Sequence, residues 1–451
     1  MAERAPRPAA PPDGGAAEPT PASAGDPAGS SLDFNEEVRM RSVLRTLAVL
    51  LLVTPLAALI WPRRAETVPL YAARTGLMCQ TCHFDPNGGG PRNEFGFAFA
   101  RNRHAITPEP DGPWADLDLT NRVGETMPVY FGVNQRFMLI ANTTVQSDSL
   151  DRLGFYSMEN ALHITFQPHP RLTLVYSRGG FEANASVGEA FGMISGFPLD
   201  GYLKAGRIRN PFGLRMDDHT VATRNSYLDF SSDPFSPRRF LPYDPRAADE
   251  GFEYGMSSAN WFGRVAFTNG GSNGLLGPNT FAEGKTIKLG YNAPWYQGGA
   301  SFYDDYQKNP LPFGDPIRRA TRWGYYGLAH YGPVAMLGEI VAGTDDRESG
   351  AKTNLLALFV EADYSPARPW NFRARFDHLE MDRSSDPVVR DLATSNRYSL
   401  EGEVVPVPFA ELRWTLRHIE YQSPQDSPAF SALGRTFDKE NQAYLQAHFS
   451  Y

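Results

Sequence analysis

The stretch Cys79-Gln80-Thr81-Cys82-His83 carries the clearest chemistry in this chain. Thiols at C-x-x-C spacing followed by His are the attachment pattern of c-type haem. Each thiol can add to a haem vinyl group, and the His then stands under the porphyrin as proximal iron ligand. The chain has 2 Cys, both in this pentapeptide, so the motif uses every thiol and leaves none for a structural disulfide. Other chemistries lack a part. A zinc site wants four ligands, and three cluster here. A thioredoxin-like redox pair wants a βαβ setting, which the sequence does not offer. Cys79, Cys82 and His83 are therefore expected to hold one covalent haem c.

The residues around the motif have to position it. Tyr71-Ala-Ala-Arg-Thr-Gly76-Leu-Met precedes it, and a Gly- and Pro-rich run, Phe84 to Gly96, follows as loop chemistry. Phe95, Phe97 and Phe99 with Ala98 and Ala100 form an apolar patch that packs either on a porphyrin or in an ordinary core. A segment of roughly 50 residues is too small for a self-sufficient core, and a covalent haem would act as its staple. His104 is the candidate for the second axial position on iron, being the other His that precedes the strands. Met127 and Met78 are alternatives, but Met78 adjoins Cys79 and is sterically poor.

The larger part of the chain has a different rhythm. Of 451 residues, 21% are charged and 12% aromatic, Gly number 41, and the mean hydropathy is -0.39. That mean is too polar for a helical membrane protein. It suits an all-β class, a transmembrane antiparallel β-barrel of about 16 strands behind a small N-terminal haem c segment. Strands are expected to start near Val129, Leu153, Leu172, Val187, Tyr202, Gly251, Arg264, Thr286, Gly298, Thr321, Ala335, Asn354, Asn371, Arg397, Glu411 and Asn441. Leu412, Trp414 and Leu416 alternate with Glu411, Arg413, Thr415 and Arg417. Leu445, Ala447, Phe449 and Tyr451 alternate with Tyr444, Gln446, His448 and Ser450. A strand buried on both faces would not place Arg and Glu on one side. Short connections rich in Pro or Gly, such as Gln167-Pro168-His169-Pro170 and Val405-Pro406-Val407-Pro408, punctuate the pattern. Longer ones fall between them, at about 213–249, 270–284, 306–317, 343–353, 383–395 and 423–439. Short periplasmic turns alternating with longer outer loops are the habit of outer-membrane barrels. An even strand number puts both barrel ends at the periplasmic side. No blade-length repeat points to a propeller.

Four stretches follow. Residues 1–39 are rich in Ala, Pro and Gly and read as a disordered extension. Residues 40–66 read as a signal peptide or leader, with basic Met40-Arg41-Ser42-Val43-Leu44-Arg45 before an apolar run from Leu47 to Trp61. An uncleaved anchor is the other reading, and Met40 is a second possible start. Residues 67–125 form the monohaem segment, and 126–451 the barrel. The net charge is -8, without a basic block after the leader, so nucleic acid is not an expected partner.

Two further groups of residues bear on function. Asp217, Asp218, His219, Asp229, Asp233, Asp244 and Asp249 in a long outer loop either gather a cation or form a solvated loop; without fixed ligand spacing the solvated loop is favoured. Lys204, Arg207 and Arg209 either line an anion path or pair with acidic neighbours in the lumen. No Ser-His-Asp order, P-loop or G-x-G-x-x-G signature stands out.

A leader, one C-x-x-C-H and then a barrel resembles the fused monohaem cytochrome–porins of outer membranes, including those associated with iron oxidation. Cys79, Cys82 and His83 carry the likeness, with Tyr71-Ala-Ala-Arg-Thr-Gly76 ahead of them. Separately, Lys204-Ala-Gly-Arg-Ile-Arg-Asn-Pro-Phe-Gly213 looks like a strand of phosphate-selective-type porins. The first resemblance implies an outer-membrane electron conduit, with haem c in or near the lumen. It would pass electrons from an extracellular donor, Fe(II) among the candidates, to a periplasmic carrier, in effect an Fe(II):cytochrome c oxidoreductase. Two other readings stand beside it: a porin for small solutes with a haem-bearing plug or sensor, and a soluble periplasmic haem protein.

Overall fold

The computed structural model describes residues 71–451, apart from 109–113, 115–118, 145–151, 182–186, 215–220, 225–247, 271–283, 307–316, 382–393, 422–438 and the single positions 72, 76, 259, 294, 348 and 351. The expected extension and leader lie outside the described residues, as do Asp217, Asp218, His219, Asp229, Asp233 and Asp244 of the acidic loop.

Sixteen antiparallel strands close on themselves. They are β2 (Val129–Thr144), β3 (Arg152–His169), β4 (Leu172–Phe181), β5 (Val187–Phe197), β6 (Gly201–Ile208), β7 (Asp249–Ser257), β8 (Trp261–Thr268), β9 (Gly284–Ala293), β10 (Tyr296–Tyr306), β11 (Ile317–Tyr331), β12 (Val334–Arg347), β13 (Lys352–Ala367), β14 (Trp370–Met381), β15 (Thr394–Val407), β16 (Ala410–Tyr421) and β17 (Lys439–Ser450). Each pairs with its sequence neighbour, and β17 returns to β2, from Glu440 opposite Thr144 to Ser450 opposite Asn134. A two-residue strand, β1 (Arg122–Val123), adds to β2. Closure leaves no unpaired sheet edge, which is the condition for strands to sit in lipid.

The wall is inverted relative to a soluble protein. On β16 Leu412, Trp414 and Leu416 are exposed, whereas Glu411, Thr415 and Arg417 are buried. On β17 Leu445 and Phe449 are exposed, and Tyr444, Gln446 and Ser450 are buried. Period-2 alternation sends the apolar set outward to hydrocarbon and the polar set into the lumen. Two-residue to three-residue turns, such as Pro198–Asp200 and Gly332–Pro333, alternate with longer connections. Leu199 and Asp200 both take positive φ, 59° and 47°, the backbone twist that a tight hairpin demands.

The described residues between 71 and 123 enter the lumen from the end that carries the short turns. They include a single turn α1 (Ala73–Thr75), α2 (Cys79–Cys82) and α3 (Glu94–Arg101). Phe97 meets Phe409 of the β15–β16 turn at 4.9 Å and Tyr451 at 5.1 Å. Arg368, in the β13–β14 turn, donates to the Thr107 carbonyl (2.8 Å). From the other end, part of the long β6–β7 connection folds inward. Phe212, Leu214 and Val221 to Arg224 are buried. Ala222 N donates to Asp377 Oδ1 (2.9 Å), and Arg224 pairs with Glu339 (3.0 Å). The described parts of that connection therefore pack inside the wall; of the acidic set only Asp249 is described, and it is buried. Asp249, the last of the acidic set, starts β7, and its carboxylate accepts from Gly270 N and Glu250 N.

Candidate functional site

The C-x-x-C-H stretch forms one helical turn inside the barrel. His83 N donates to Cys79 O (3.0 Å), so both thiols and the imidazole come from a compact unit. The chain then makes a short excursion through Gly88, Gly89 and Gly90, all with positive φ. It returns where His83 and Arg92 form an antiparallel bridge. A Cβ on Gly88 would stand 3.2 Å from Cys79 Cβ and Sγ, so the loop lies directly on that side chain.

Helix α3 locks the turn. Asn93 caps it, its side chain accepting from Gly96 N (3.0 Å), which satisfies one of the free N–H groups of a helix start. The same side chain donates to Thr81 O (3.0 Å), tying the cap to the motif. Gly96 touches the turn itself: a Cβ there would be 2.1 Å from Cys82 O. Phe97, Phe99 and Ala100 are buried, and Phe95 is exposed. Phe99 packs on Tyr71 and His104 within the plug, while Phe97 packs the plug on Phe409 and Tyr451 of the barrel.

The wall grips the loop through charge. Asp85 is buried and pairs with Lys204 Nζ (3.0 Å) on β6, which also pairs with Glu253 (3.0 Å) on β7. Asn87 Nδ2 donates to both Glu253 oxygens, at 2.8 and 3.0 Å, and Tyr202 donates its hydroxyl to the same carboxylate. Lys204 is thus an anchor for the loop, and of the two sequence readings the acidic pairing is the one realised. Arg209 lies 3.5 Å from Glu189, and Arg207 pairs with Glu250 (2.8 Å). Arg92 donates to the Ser450 carbonyl (2.7 Å) and hydroxyl (3.1 Å), fastening the loop to β17.

The surroundings of the three motif residues fit covalent haem. Cys79 and Cys82 are free thiols. Cys82 packs in one buried cluster with Leu328 of β11, Leu337 of β12, Phe359 of β13 and the inward-folded Leu214 and Val221. Burial pushes the Cys82 thiol up to about 11. Burial, with help from the Arg92 guanidinium, pulls His83 down to about 4, so its imidazole is neutral near pH 7, the form that ligates iron. His83 Nδ1 is buried, and the Gly90 backbone lies against the ring. A buried, neutral imidazole beside two free thiols fits the donor set of a haem c.

His104 lies against Tyr71 and Phe99 of the plug. Tyr71 Oη lies 2.7 Å from its Nδ1. Among the described residues no contact joins His104 to His83. Instead His104 faces Glu403 on β15 and Glu411 on β16. Both carboxylates are on lumen-facing positions that alternation alone could have flagged. Their meeting with His104 had no local signal.

No known family profile matches this chain, and no curated protein matches it in sequence. Solved structures match its fold. A loop L8 deletion mutant of OmpT, an outer membrane protein of Vibrio cholerae, aligns with TM-score 0.52 and 12% identity over 72% of this chain and 100% of that one. The anion-selective porin from Comamonas acidovorans aligns with TM-score 0.52 and 9% identity, over 72% and 100%. OprB of Pseudomonas putida aligns with TM-score 0.51 and 11% identity, over 72% and 94%. The fold is that of a porin-type outer-membrane barrel. At these identities the likeness is one of architecture. The wall, with apolar side chains outward and no edge, embeds in outer-membrane lipid.

Proposed function

We propose that this protein is an outer-membrane electron conduit, in which one haem c bound at Cys79, Cys82 and His83 connects an extracellular donor with a periplasmic carrier. The observation that supports this best is the burial of the C-x-x-C-H turn among inward-facing side chains that are themselves buried. In a water-filled pore the inward-facing side chains are wet. Here Lys204, Glu253, Val341 and Leu379 are fully buried. Phe212, Ala222, Tyr303, Val341, Leu355 and Ile419 even form an apolar cluster within the wall. Such a lumen suits insulation of a redox centre better than passage of solutes.

When bound, haem c supplies one-electron chemistry at a potential set by axial ligand, burial and hydrogen bonding. The chain supplies the rest. Cys79 and Cys82 would fix the group covalently, and His83 would offer its neutral imidazole. The Asp85–Lys204–Glu253 network holds the loop against β6 and β7. Leu214 and Val221, from a connection on the loop end of the barrel, reach the Cys82 cluster. The segment that carries the motif enters from the opposite end. Contacts therefore run from both sides of the barrel to the motif, as a conduit needs. Fe(II) is the donor to test first.

The test is purified protein in liposomes. One porphyrin per chain by mass, rapid reduction by Fe(II) added outside and low conductance in planar bilayers are the expected results. Protein without porphyrin mass overturns the reading. A large steady pore with a haem that outside donors do not reduce returns it to a porin with a haem-bearing plug.

A further inference from the structure

A second group of ligand-type side chains lies where the plug meets the opposite wall. His104, Glu403 and Glu411 each present one donor atom, and these atoms all lie within 4.8 Å of one another. His104 belongs to the plug. Glu403 and Glu411 flank the short β15–β16 turn, and both are buried. The three converge from separate segments, which a solvated acidic surface does not do.

The partners of each group leave the inward atom available. Arg373 Nη2 sits on Glu403 Oε2 (2.5 Å), and Arg413 reaches the same oxygen (3.3 Å). The other oxygen, Oε1, has a long contact of 3.5 Å to Arg74. Arg413 also pairs with Glu411 Oε1, and Glu411 Oε2 has His448 Nδ1 at 3.6 Å. So each carboxylate has one oxygen held tightly by arginine and one held loosely. On His104 the Tyr71 hydroxyl is 2.7 Å from Nδ1 and 3.4 Å from Nε2, which favours Nδ1 as its partner and turns Nε2 to other use. Ligands whose far atoms are fixed by hydrogen bonds are the usual construction of a metal site. His448, opposite Glu411 in the β16–β17 register, adds a buried Nε2 without a hydrogen-bond partner.

We propose that His104, Glu403 and Glu411 bind one divalent first-row transition cation that clamps the plug to β15 and β16. One imidazole and two carboxylates suit zinc, iron or manganese. Bonds of about 2.0–2.2 Å place ligands on opposite sides of such an ion about 4.2 Å apart, so small side-chain movements close the cluster. The site is distinct from the C-x-x-C-H motif and stands whether or not that motif holds haem. Binding to the docked plug alone would stabilise docking by linkage.

The experiment is zinc titration of the full chain after chelator treatment, followed by metal analysis. One equivalent is expected in wild type. Loss of at least tenfold in affinity is expected in His104→Ala and in Glu411→Gln. The Cys79→Ala/Cys82→Ala variant should keep the ion, which separates this site from the thiols. Barrel integrity is read in each case from the gel mobility shift between heated and unheated protein. If a variant does not assemble, His104→Gln replaces it, with the same loss expected. Wild type without stoichiometric zinc overturns the proposal, as does equal binding in the His104 variants or loss of binding in the double Cys variant. A His104→Ala protein with unchanged zinc but an altered haem spectrum also overturns it, and assigns His104 to the haem iron.

Discussion

The plug docks on two sides of the lumen by different electrostatics. On the β6–β7 side one cation, Lys204, serves two carboxylates, Asp85 and Glu253, and every participant is buried. Asn87 and Tyr202 occupy the remaining oxygens, so this lock is saturated. On the β13–β16 side, Arg74 reaches Asp363 and Glu403 at 3.5 Å each and keeps some exposure. There His104 faces carboxylates whose arginines already belong to the wall. The saturated side positions the C-x-x-C-H loop, while the looser side has ligand capacity to spare. A buried charge network is costly to break at one member and tolerant only where charges are shared among several.

The largest effect is expected from Cys79→Ala/Cys82→Ala, which should abolish covalent haem while the barrel still assembles. Pyridine haemochrome absorbance and mass measure it, and retained porphyrin mass would contradict the assignment. Next comes Lys204→Met, which strands Asp85 and Glu253. A loss of about 3–5 kcal/mol is expected, seen as a lower urea midpoint in vesicles and as protease cleavage near Gly88–Gly90. An unchanged midpoint would erase the contrast between the two docks. Gly96→Ala should cost about 1–3 kcal/mol by pushing α3 off the Cys82 turn, visible as lower haem loading. Arg74→Ala, on the looser side with contacts of 3.5 Å, should lower the urea midpoint less than Lys204→Met does. Arg207→Ala removes a half-exposed pair with Glu250 and should change stability by about 0–1 kcal/mol. Equal losses for Lys204 and Arg74 would mean that both docks are of one kind.

Much of the wall was legible in the sequence. Expected strand starts at Val129, Leu172 and Val187 are those observed, and Arg264 and Thr321 fall a few residues inside β8 and β11. Alternation against lipid is a local property, so residues two apart report it. The plug was less legible. Helix α3 was hidden within a Gly- and Pro-rich run, although Asn93 followed by Glu94 is a helix-start signal. The inward fold of residues 210–214 and 221–224 was not readable, because its burial depends on Asp377 and Glu339, far along the chain.

By itself the sequence determined that a thiol–thiol–imidazole unit precedes a barrel wall with apolar and polar faces. Spacing and alternation are chemistry between near neighbours, and they need no fold to be read. Only the tertiary structure decided that Lys204 meets Asp85 across 119 residues and that His104 meets Glu403 and Glu411. Only it decided, too, that Phe212, Leu214 and Val221 to Arg224 fold inside the wall. Those outcomes follow from closing the sheet, which brings inward-facing charges of remote strands within a few ångströms and selects which of them pair.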